Sequence, residues 1–182
     1  MKYGLLRDLP SWLATLLICF GLVACGREGL RPLQGINHSL LQSASSRRQP
    51  ALGKRWLATL ANQQGKERIE LIDLRNRRPV LLPGLNRPDA QPISVSVSAN
   101  GERLALVRQR DDQTELLLYH RSMGTVHRLE LSAKGIPRHV ILDGKGRLLA
   151  VQVSRDGRWD VDLIRLPSRF DNTTTHGSKP AQ

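Results

Sequence analysis

The stretch Ile93-Ser94-Val95-Ser96-Val97-Ser98 runs directly into Ala99-Asn100-Gly101-Glu102-Arg103-Leu104-Ala105. Its first half alternates apolar and polar residues, which is the period of a β-strand with one apolar face. Asn100-Gly101 then supplies two residues that tolerate the positive φ angles of a tight hairpin. The stretch therefore predicts a strand, a tight turn and a second strand.

The same pattern recurs along the chain. Arg103 aligns with Arg55 and Arg147, at separations of 48 and 44 residues. The following strand repeats at offsets of 45 and 47 residues, as Glu70-Leu71-Ile72-Asp73-Leu74, Glu115-Leu116-Leu117-Leu118-Tyr119 and Asp162-Leu163-Ile164-Arg165-Leu166. A proline opens each unit, at Pro50, Pro92 and Pro137, where a missing N–H is tolerated at the first residue of a strand. The aligned arginines and the strand that follows them thus repeat with the same period, 44–48 residues.

Each unit contains short strands and turn formers but no helical periodicity. Further turns are predicted at Asp143-Gly144 and Asp156-Gly157, and Trp159-Asp160-Val161-Asp162-Leu163 alternates like the first stretch. Units of 44–48 residues with three or four strands are typical of a β-propeller blade. We therefore predict an all-β fold of about three blade-like repeats over residues 50–167. Trp56 and Trp159 are expected in the core between sheets.

The repeats resemble a known family. Residues 98–105 are similar to the S-x-D-G-x-x-L-A core of the WD40-like repeat in TolB-like β-propellers, and Asp143-Gly144-Lys145-Gly146-Arg147-Leu148 is a looser second copy. The resemblance covers roughly residues 50–167 and implies a propeller fold, but such repeats are poorly specific for function, since they occur in peptidase propellers and in many binding proteins. It implies no site residues, because the partner-binding positions of that family do not map onto this chain.

Three blades are fewer than the four to eight of a closed propeller. The first unit is also shortened before Arg55, so its first strand is expected to be very short or borrowed. The third unit ends near Pro167 without a fourth strand. The sequence thus leaves three possibilities open: an open array, a small propeller completed by the segment before Pro50, or closure by self-association into a homo-oligomer.

The N-terminus carries an export signal. Lys2 and Arg7 precede an apolar run from Trp12 to Ala24 that is too short to span a bilayer comfortably. Leu22-Val23-Ala24-Cys25 resembles the lipobox of bacterial lipoproteins, with cleavage between Ala24 and Cys25 and lipidation of Cys25. An ordinary secretory signal with an incidental cysteine, or an uncleaved anchor, are the alternatives. The resemblance implies diacylglycerol and an N-acyl chain on Cys25, and anchoring by several chains is stable.

These features divide the chain into four parts. Residues 1–24 are predicted to be a lipoprotein signal peptide, and residues 25–49 a lipidated tether that is extended or mobile, with Ser39-Leu40-Leu41 able to add a strand. Residues 50–167 form the β-repeat domain. Residues 168–182 are predicted to be a disordered tail. The expected location is the bacterial cell envelope, facing the periplasm, with either membrane possible.

A formal charge of +12 calls for an anionic neighbour. We take as the candidate surface eight arginines in or near loops, namely Arg75, Arg77, Arg78, Arg87, Arg108, Arg110, Arg121 and Arg128. A solvated surface without a partner is the simpler interpretation. Nucleic acid is disfavoured, since export removes the protein from it and few aromatic residues are available for stacking.

No residue pattern indicates catalysis or metal binding. The histidines, His38, His120, His127, His139 and His176, are scattered, and the mature chain retains one cysteine. Asp143-Gly144-Lys145-Gly146 lacks the alternating oxygen ligands of a calcium loop. Ser94, Ser96 and Ser98 lie on the predicted polar face of a strand, outside any nucleophile elbow. We therefore expect no catalytic residues, no metal and no cofactor beyond the lipid.

The expected function is non-enzymatic. The chain is interpreted as a membrane-anchored lipoprotein whose basic β-repeat domain binds an envelope protein or an anionic polymer or lipid. Two alternatives remain at this stage: an accessory module that presents substrate to an envelope hydrolase, and a degenerate remnant of a longer propeller.

Overall fold

A computed structural model describes residues 30–167. It contains a helix, α1 (Gln34–Leu41), and eleven strands. The strands are β1 (Ser46–Leu52), β2 (Trp56–Gln63), β3 (Lys66–Asp73), β4 (Arg78–Val80), β5 (Gln91–Val97), β6 (Arg103–Arg110), β7 (Gln113–His120), β8 (Thr125–Leu129), β9 (Ile136–Leu142), β10 (Leu148–Arg155) and β11 (Arg158–Arg165). In this part of the chain no helix has the length and apolar character needed to cross a membrane.

The strands form three antiparallel sheets in sequence order. Blade 1 is β1-β2-β3-β4, blade 2 is β5-β6-β7-β8, and blade 3 is β9-β10-β11. The prediction of an all-β fold with three blade-like repeats is confirmed, and within the described residues the third repeat has three strands, as expected. The signal peptide, Cys25 and the tail over residues 168–182 lie outside the described residues. Of the two units into which the chain divides, residues 1–34 and 35–182, the second contains the sheets.

The stretch that predicted the fold forms the β5–β6 connection. The Ser98 hydroxyl accepts a hydrogen bond from the Arg103 N–H at 3.0 Å, and the Asn100 side chain accepts one from the Glu102 N–H at 3.1 Å. Gly101 has a φ of +70°. The turn therefore closes through side-chain acceptors and a left-handed glycine, as its residue types favour.

The repeating prolines mark bulges rather than strand starts. Pro92 lies at a register shift between β5 and β6, and Pro50 lies within a similar shift between β1 and β2. Pro137 in β9 pairs across the shift opposite Val153. A bulge tolerates a residue that cannot donate to the ladder. Because β1 begins at Ser46, ahead of Pro50, the first strand is neither very short nor borrowed.

Two apolar clusters hold the sheets together as a stack. The first lies between blades 1 and 2 and includes Leu60, Leu71 and Leu106. The second lies between blades 2 and 3 and includes Val107, Leu118 and Val151. Blade 2 is therefore covered on both faces. We call the side of a blade that faces the next blade along the chain its front face, and the other side its back face.

The register of the ladders gives the structural equivalence of the repeats. Trp56 pairs with Asp73, Arg103 with His120, and Leu148 with Arg165. Arg103 is therefore equivalent to Trp56 and Leu148, one residue away from Arg55 and Arg147. The arginine alignment made from the sequence is wrong by one residue, which in a strand exchanges the two faces.

Three further expectations need correction. Residues 34–41 form α1 and β1 begins at Ser46, so the predicted tether over residues 25–49 overlaps ordered structure, and Ser39-Leu40-Leu41 is helical. Trp159 is 62% exposed instead of lying between sheets. Ser94 and Ser96 were expected on a polar face but are buried between blades 2 and 3. There their hydroxyls accept hydrogen bonds from the β9 N–H groups of Val140 and Leu142 at 3.2 and 2.9 Å.

Candidate functional site

The connections between strands lie at two opposite ends of the stack. The β1–β2, β3–β4, β5–β6, β7–β8 and β9–β10 connections form what we call the Trp56 end. The β2–β3, β6–β7 and β10–β11 hairpins form the Gly65 end, together with the part of the β4–β5 connection around Arg87, which lines the same groove as Gly65. The two ends differ in charge, and the Trp56 end is the candidate site.

Trp56 lies at the centre of the basic end. Its indole is buried, with the guanidinium of Arg55 4.8 Å from the ring centroid and that of Arg121 4.7 Å away. Arg55 also pairs with Asp73 at 2.9 Å, while Arg121 Nε donates to the Gly101 carbonyl at 2.7 Å. Stacking on the ring and these hydrogen bonds hold two cationic groups in fixed positions.

Basic residues predominate at this end. They are Lys54, Arg55, Arg75, Arg77, Arg78, Arg103, Arg121, Lys145 and Arg147, and the acidic residues are Asp73, Glu102 and Asp143. Six of the basic side chains are exposed and make no ion pair within residues 30–167: Lys54, Arg75, Arg77, Arg78, Lys145 and Arg147. The Trp56 end therefore presents a net positive surface to solvent.

The acidic groups at this end are already engaged. Backbone N–H groups of Leu148, Arg147 and Lys145 donate to the Asp143 carboxylate, and they hold its pKa below the ordinary value. Asp73 is buried and accepts from Arg55. Glu102 accepts the Ser122 N–H at 2.7 Å and lies 3.6 Å from Arg121. These carboxylates shape the turns and leave the exposed cations uncompensated.

The structure separates the eight arginines named from the sequence. Arg75, Arg77, Arg78 and Arg121 lie at the Trp56 end. Arg87 and Arg110 belong to the Gly65 end, where they pair with Asp89 at 2.9 Å and Asp111 at 3.3 Å. Arg128 is on β8, 3.7 Å from Glu115. The eight residues therefore do not form one face.

Arg108 is not a surface residue. It lies within β6, is 7% exposed, and pairs with Glu115 at 2.8 Å. Burial opposes ionisation of Glu115, but the hydrogen bond and charge of Arg108 prevail and hold the pKa of that carboxyl below its ordinary value. The pair is part of the packing of blade 2.

Sequence reasoning missed five basic residues of the Trp56 end: Lys54, Arg55, Arg103, Lys145 and Arg147. Arg55, Arg103 and Arg147 served as markers of the repeat. The signal that identifies all five is their position in, or directly after, the connection between the first and second strands of a blade. Turns at the same place in successive blades meet at the same end of the stack.

The Gly65 end contains an open groove of about 1090 Å³ between blades 1 and 2. Its charges are largely paired with one another. Arg48 binds Glu67 at 2.6 Å and lowers the pKa of that carboxyl, and Arg87 lowers the pKa of Asp89 to about 2 through a hydrogen bond. The groove is therefore a mixed polar surface and offers an anion less net attraction than the Trp56 end.

The four histidines within residues 30–167 do not converge on a metal site. Within residues 30–167 no group of three or more His, Cys, Asp or Glu side chains is placed to hold a metal ion. His120 and His127 contact each other edge to face at 5.8 Å, and His139 shares a 3.0 Å hydrogen bond with Ser94. His38 is on α1. His176 and Cys25 lie outside the described residues.

No protein-family model matches the chain, and no curated protein matches it. Among solved structures, the chain is similar to TolB from Acinetobacter baumannii, with 17% identity, a TM-score of 0.51, and coverage of 64% of this chain and 29% of that one. The β-propeller domain of the Trilobed protease from Pyrococcus furiosus is also similar, with 13% identity, a TM-score of 0.48, and coverage of 68% and 43%. The chain thus spans less than a third of the length of TolB. With the three sheets, the first of these likenesses shows a TolB-like β-propeller fold.

Proposed function

We propose that this chain is a non-enzymatic lipoprotein of the bacterial cell envelope, anchored through Cys25, whose Trp56 end binds an anionic envelope component. A propeller-type stack is a binding module whose loops at one end present side chains on a rigid scaffold. The observation that carries the proposal is the set of exposed basic side chains at this end that lack ion pairs within the described residues. The component is an anionic polymer, a lipid headgroup, or an acidic protein surface.

The rigidity of the site supports binding rather than solvation alone. Arg55 and Arg121 both stack on the Trp56 ring, and Arg103 Nη1 donates to the Gly146 carbonyl of blade 3 at 2.7 Å. Side chains held in this way lose little conformational freedom when they bind an anion. The exposed Lys54 and Lys145 extend from the same turns.

The predicted lipid anchor would hold the basic surface of the Trp56 end close to a membrane. The lipobox predicted at residues 22–25 would hold the module at a membrane, facing the periplasm and close to the lipid headgroups. Each lysine or arginine near an anionic surface contributes about 1 kcal/mol of attraction. Because several such residues lie at the Trp56 end, an anionic surface should bind there in preference to the Gly65 end.

Photo-crosslinking in intact cells tests the proposal. A photoreactive residue replaces Asn76, which is exposed in the β3–β4 connection at the Trp56 end. The control replaces Gln64, which is exposed in the β2–β3 hairpin at the Gly65 end. We expect capture of an anionic lipid, polymer or acidic protein from position 76 and little from position 64. Equal capture from both positions, or capture of a neutral or basic partner, contradicts the proposal.

A further inference from the structure

Blade 3 presents an apolar front face to solvent. The ladder registers make Ala58, Ala105 and Ala150 equivalent across the blades, and likewise Ile69, Leu116 and Val161, and Leu71, Leu118 and Leu163. Leu71 and Leu118 are fully buried by the following blade, whereas Leu163 is 69% exposed. Val161, Trp159 and Ile141 beside it are also exposed. Within residues 30–167, the surface that blades 1 and 2 use for packing is thus exposed on blade 3.

The backbone hydrogen bonds that connect successive blades also end at blade 3. The Lys54 N–H donates to the Ala99 carbonyl at 3.1 Å, and the Ala99 N–H donates to the Gly144 carbonyl at 2.9 Å. The next donor in this series is the N–H of Gly144, which is exposed. Similarly, Trp56 packs on Gly101 of the next blade, and its equivalent in blade 3, Leu148, is 43% exposed. Contiguous exposed apolar surface of this kind marks an interaction site.

The opposite side of the stack is capped. On the back face of blade 1, Thr59, Ala61 and Ile72 are buried. Helix α1 belongs to this side: the Arg77 guanidinium fills the space beside Gly35, and Arg47 of β1, which pairs with Glu70 at 2.7 Å, donates to the Leu40 carbonyl. A second copy therefore cannot add its blade 1 to the exposed face without displacing the helix. Its own blade 3 is the matching apolar surface that is free.

Charges at the rim favour one arrangement of two copies. Arg165 lies at the Trp56 end of β11, and Asp156 lies in the β10–β11 hairpin at the Gly65 end. Both are exposed, and neither forms an ion pair within residues 30–167. If the two-fold axis lies in the plane between the two sheets and runs perpendicular to the strands, Arg165 of one copy lies near Asp156 of the other. The alternative axis, parallel to the strands, leaves both charges without this complement.

We propose that the front face of blade 3 is a homodimer interface, in which two copies pack face to face with their β11 strands antiparallel. The sheets would stack as in a β-sandwich, with Trp159, Val161 and Leu163 at the centre. Because the surface is self-complementary and the other side of each stack is capped, the assembly closes at two copies. This proposal is independent of the anionic partner, which binds at the end of the stack.

Sedimentation of the full chain in a mild detergent tests the proposal. The wild-type chain should sediment as a dimer, and Leu163→Asp should shift the dissociation constant at least about tenfold toward the monomer. Its melting temperature, measured at a concentration at which the wild-type chain is also monomeric, should change little, because position 163 is exposed in the monomer. Leu41→Asp, at a position of helix α1 that is 83% exposed, is the control expected to leave dimerisation unchanged. A monomeric wild-type chain, an open polymer, or a Leu163→Asp variant that still dimerises overturns the proposal.

A charge exchange tests the orientation. Arg165→Asp and Asp156→Arg should each weaken the dimer about tenfold, and the double variant should recover affinity close to that of the wild type. In cells, Val161→Cys should give a disulfide-linked dimer, whereas Gln64→Cys should not. Absence of recovery in the double variant refutes the antiparallel arrangement. A disulfide between Val161→Cys and a different polypeptide refutes the second copy as the occupant.

Discussion

The indole of Trp56, on blade 1, occupies the space directly over the α-carbon of Gly101, on blade 2. A side chain at position 101 would overlap the ring, and the glycine also has a φ of +70°. This contact joins two blades at the candidate site. It makes Gly101 necessary for two separate physical reasons.

Gly101→Ala should therefore lower the free energy of unfolding by about 3 kcal/mol, from left-handed strain and from overpacking against Trp56. Gly65→Ala is the matched control, since Gly65 has a φ of +79° and no atom within 4 Å of an added Cβ. It should cost only about 1 kcal/mol, from backbone strain. Urea unfolding measures both. Equal losses would show that the Trp56 contact contributes nothing to stability.

The buried pair of Arg108 and Glu115 gives a second prediction. Arg108→Met leaves a buried carboxylate without its main partner and should cost about 3 kcal/mol. Adding Glu115→Leu removes the stranded charge, so the double variant should regain most of the loss. Arg87→Ala, which removes an exposed pair with Asp89, should leave the unfolding midpoint unchanged. A double variant as unstable as Arg108→Met would contradict this interpretation of the pair.

His120 should make stability depend on pH. Burial, with the nearby charges of Arg103 and His127, holds its pKa below the ordinary value of 6.5. The unfolded chain then binds the proton more readily, so stability is fully present above about pH 6.5 and falls as the pH drops toward the lower pKa of the folded state. His120→Asn should flatten this part of the profile. Thermal melting across this range is the measurement; equal slopes for wild type and His120→Asn would contradict the prediction.

Cys25→Ser tests the anchor. The substitution removes the thiol that the lipobox resemblance assigns as the acylation site, so lipid labelling should be lost and cleavage before residue 25 should stop. Labelling with a radioactive fatty acid, read on a gel, measures the first effect. Cys19→Ser is the control that should retain full labelling. Unchanged labelling in the Cys25→Ser chain would refute lipidation at this position.

The local patterns predicted the strands and the number of repeats because alternation and turn residues act over a few positions. The faces of those strands were harder to predict. Arg55 and Arg147 suggested an alignment that the ladder registers correct by one residue, because each is the last residue of a turn whereas Arg103 is the first residue of a strand. Trp159 was expected in the core, but it lies on the front face of blade 3, which has no following blade in the described structure.

The candidate site was only partly predictable for a related reason. Arg75, Arg77, Arg78 and Arg121 were correctly placed near turns, but nothing in the local sequence distinguishes the two ends of the stack. Arg108 resembles these residues in sequence, yet its pairing with Glu115 depends on the cross-strand register of β6 and β7. The basic residues that lie together at one end can be identified only after the ladder registers show which positions of successive blades are equivalent.

Binding to a soluble polyanion tests whether the Trp56 end is an anion-binding site. Fluorescently labelled polyphosphate is titrated with the full chain in mild detergent, and its anisotropy is measured. Neutralising Lys54, Arg75 and Lys145 at the Trp56 end to glutamine is compared with neutralising Lys66, Arg68 and Lys134, which are exposed basic residues on the Gly65 side. We expect at least about a tenfold loss of affinity for the first triple variant and less than about twofold for the second, with both effects reduced by salt. Equal losses would show that net charge alone governs binding and would contradict a site at the Trp56 end.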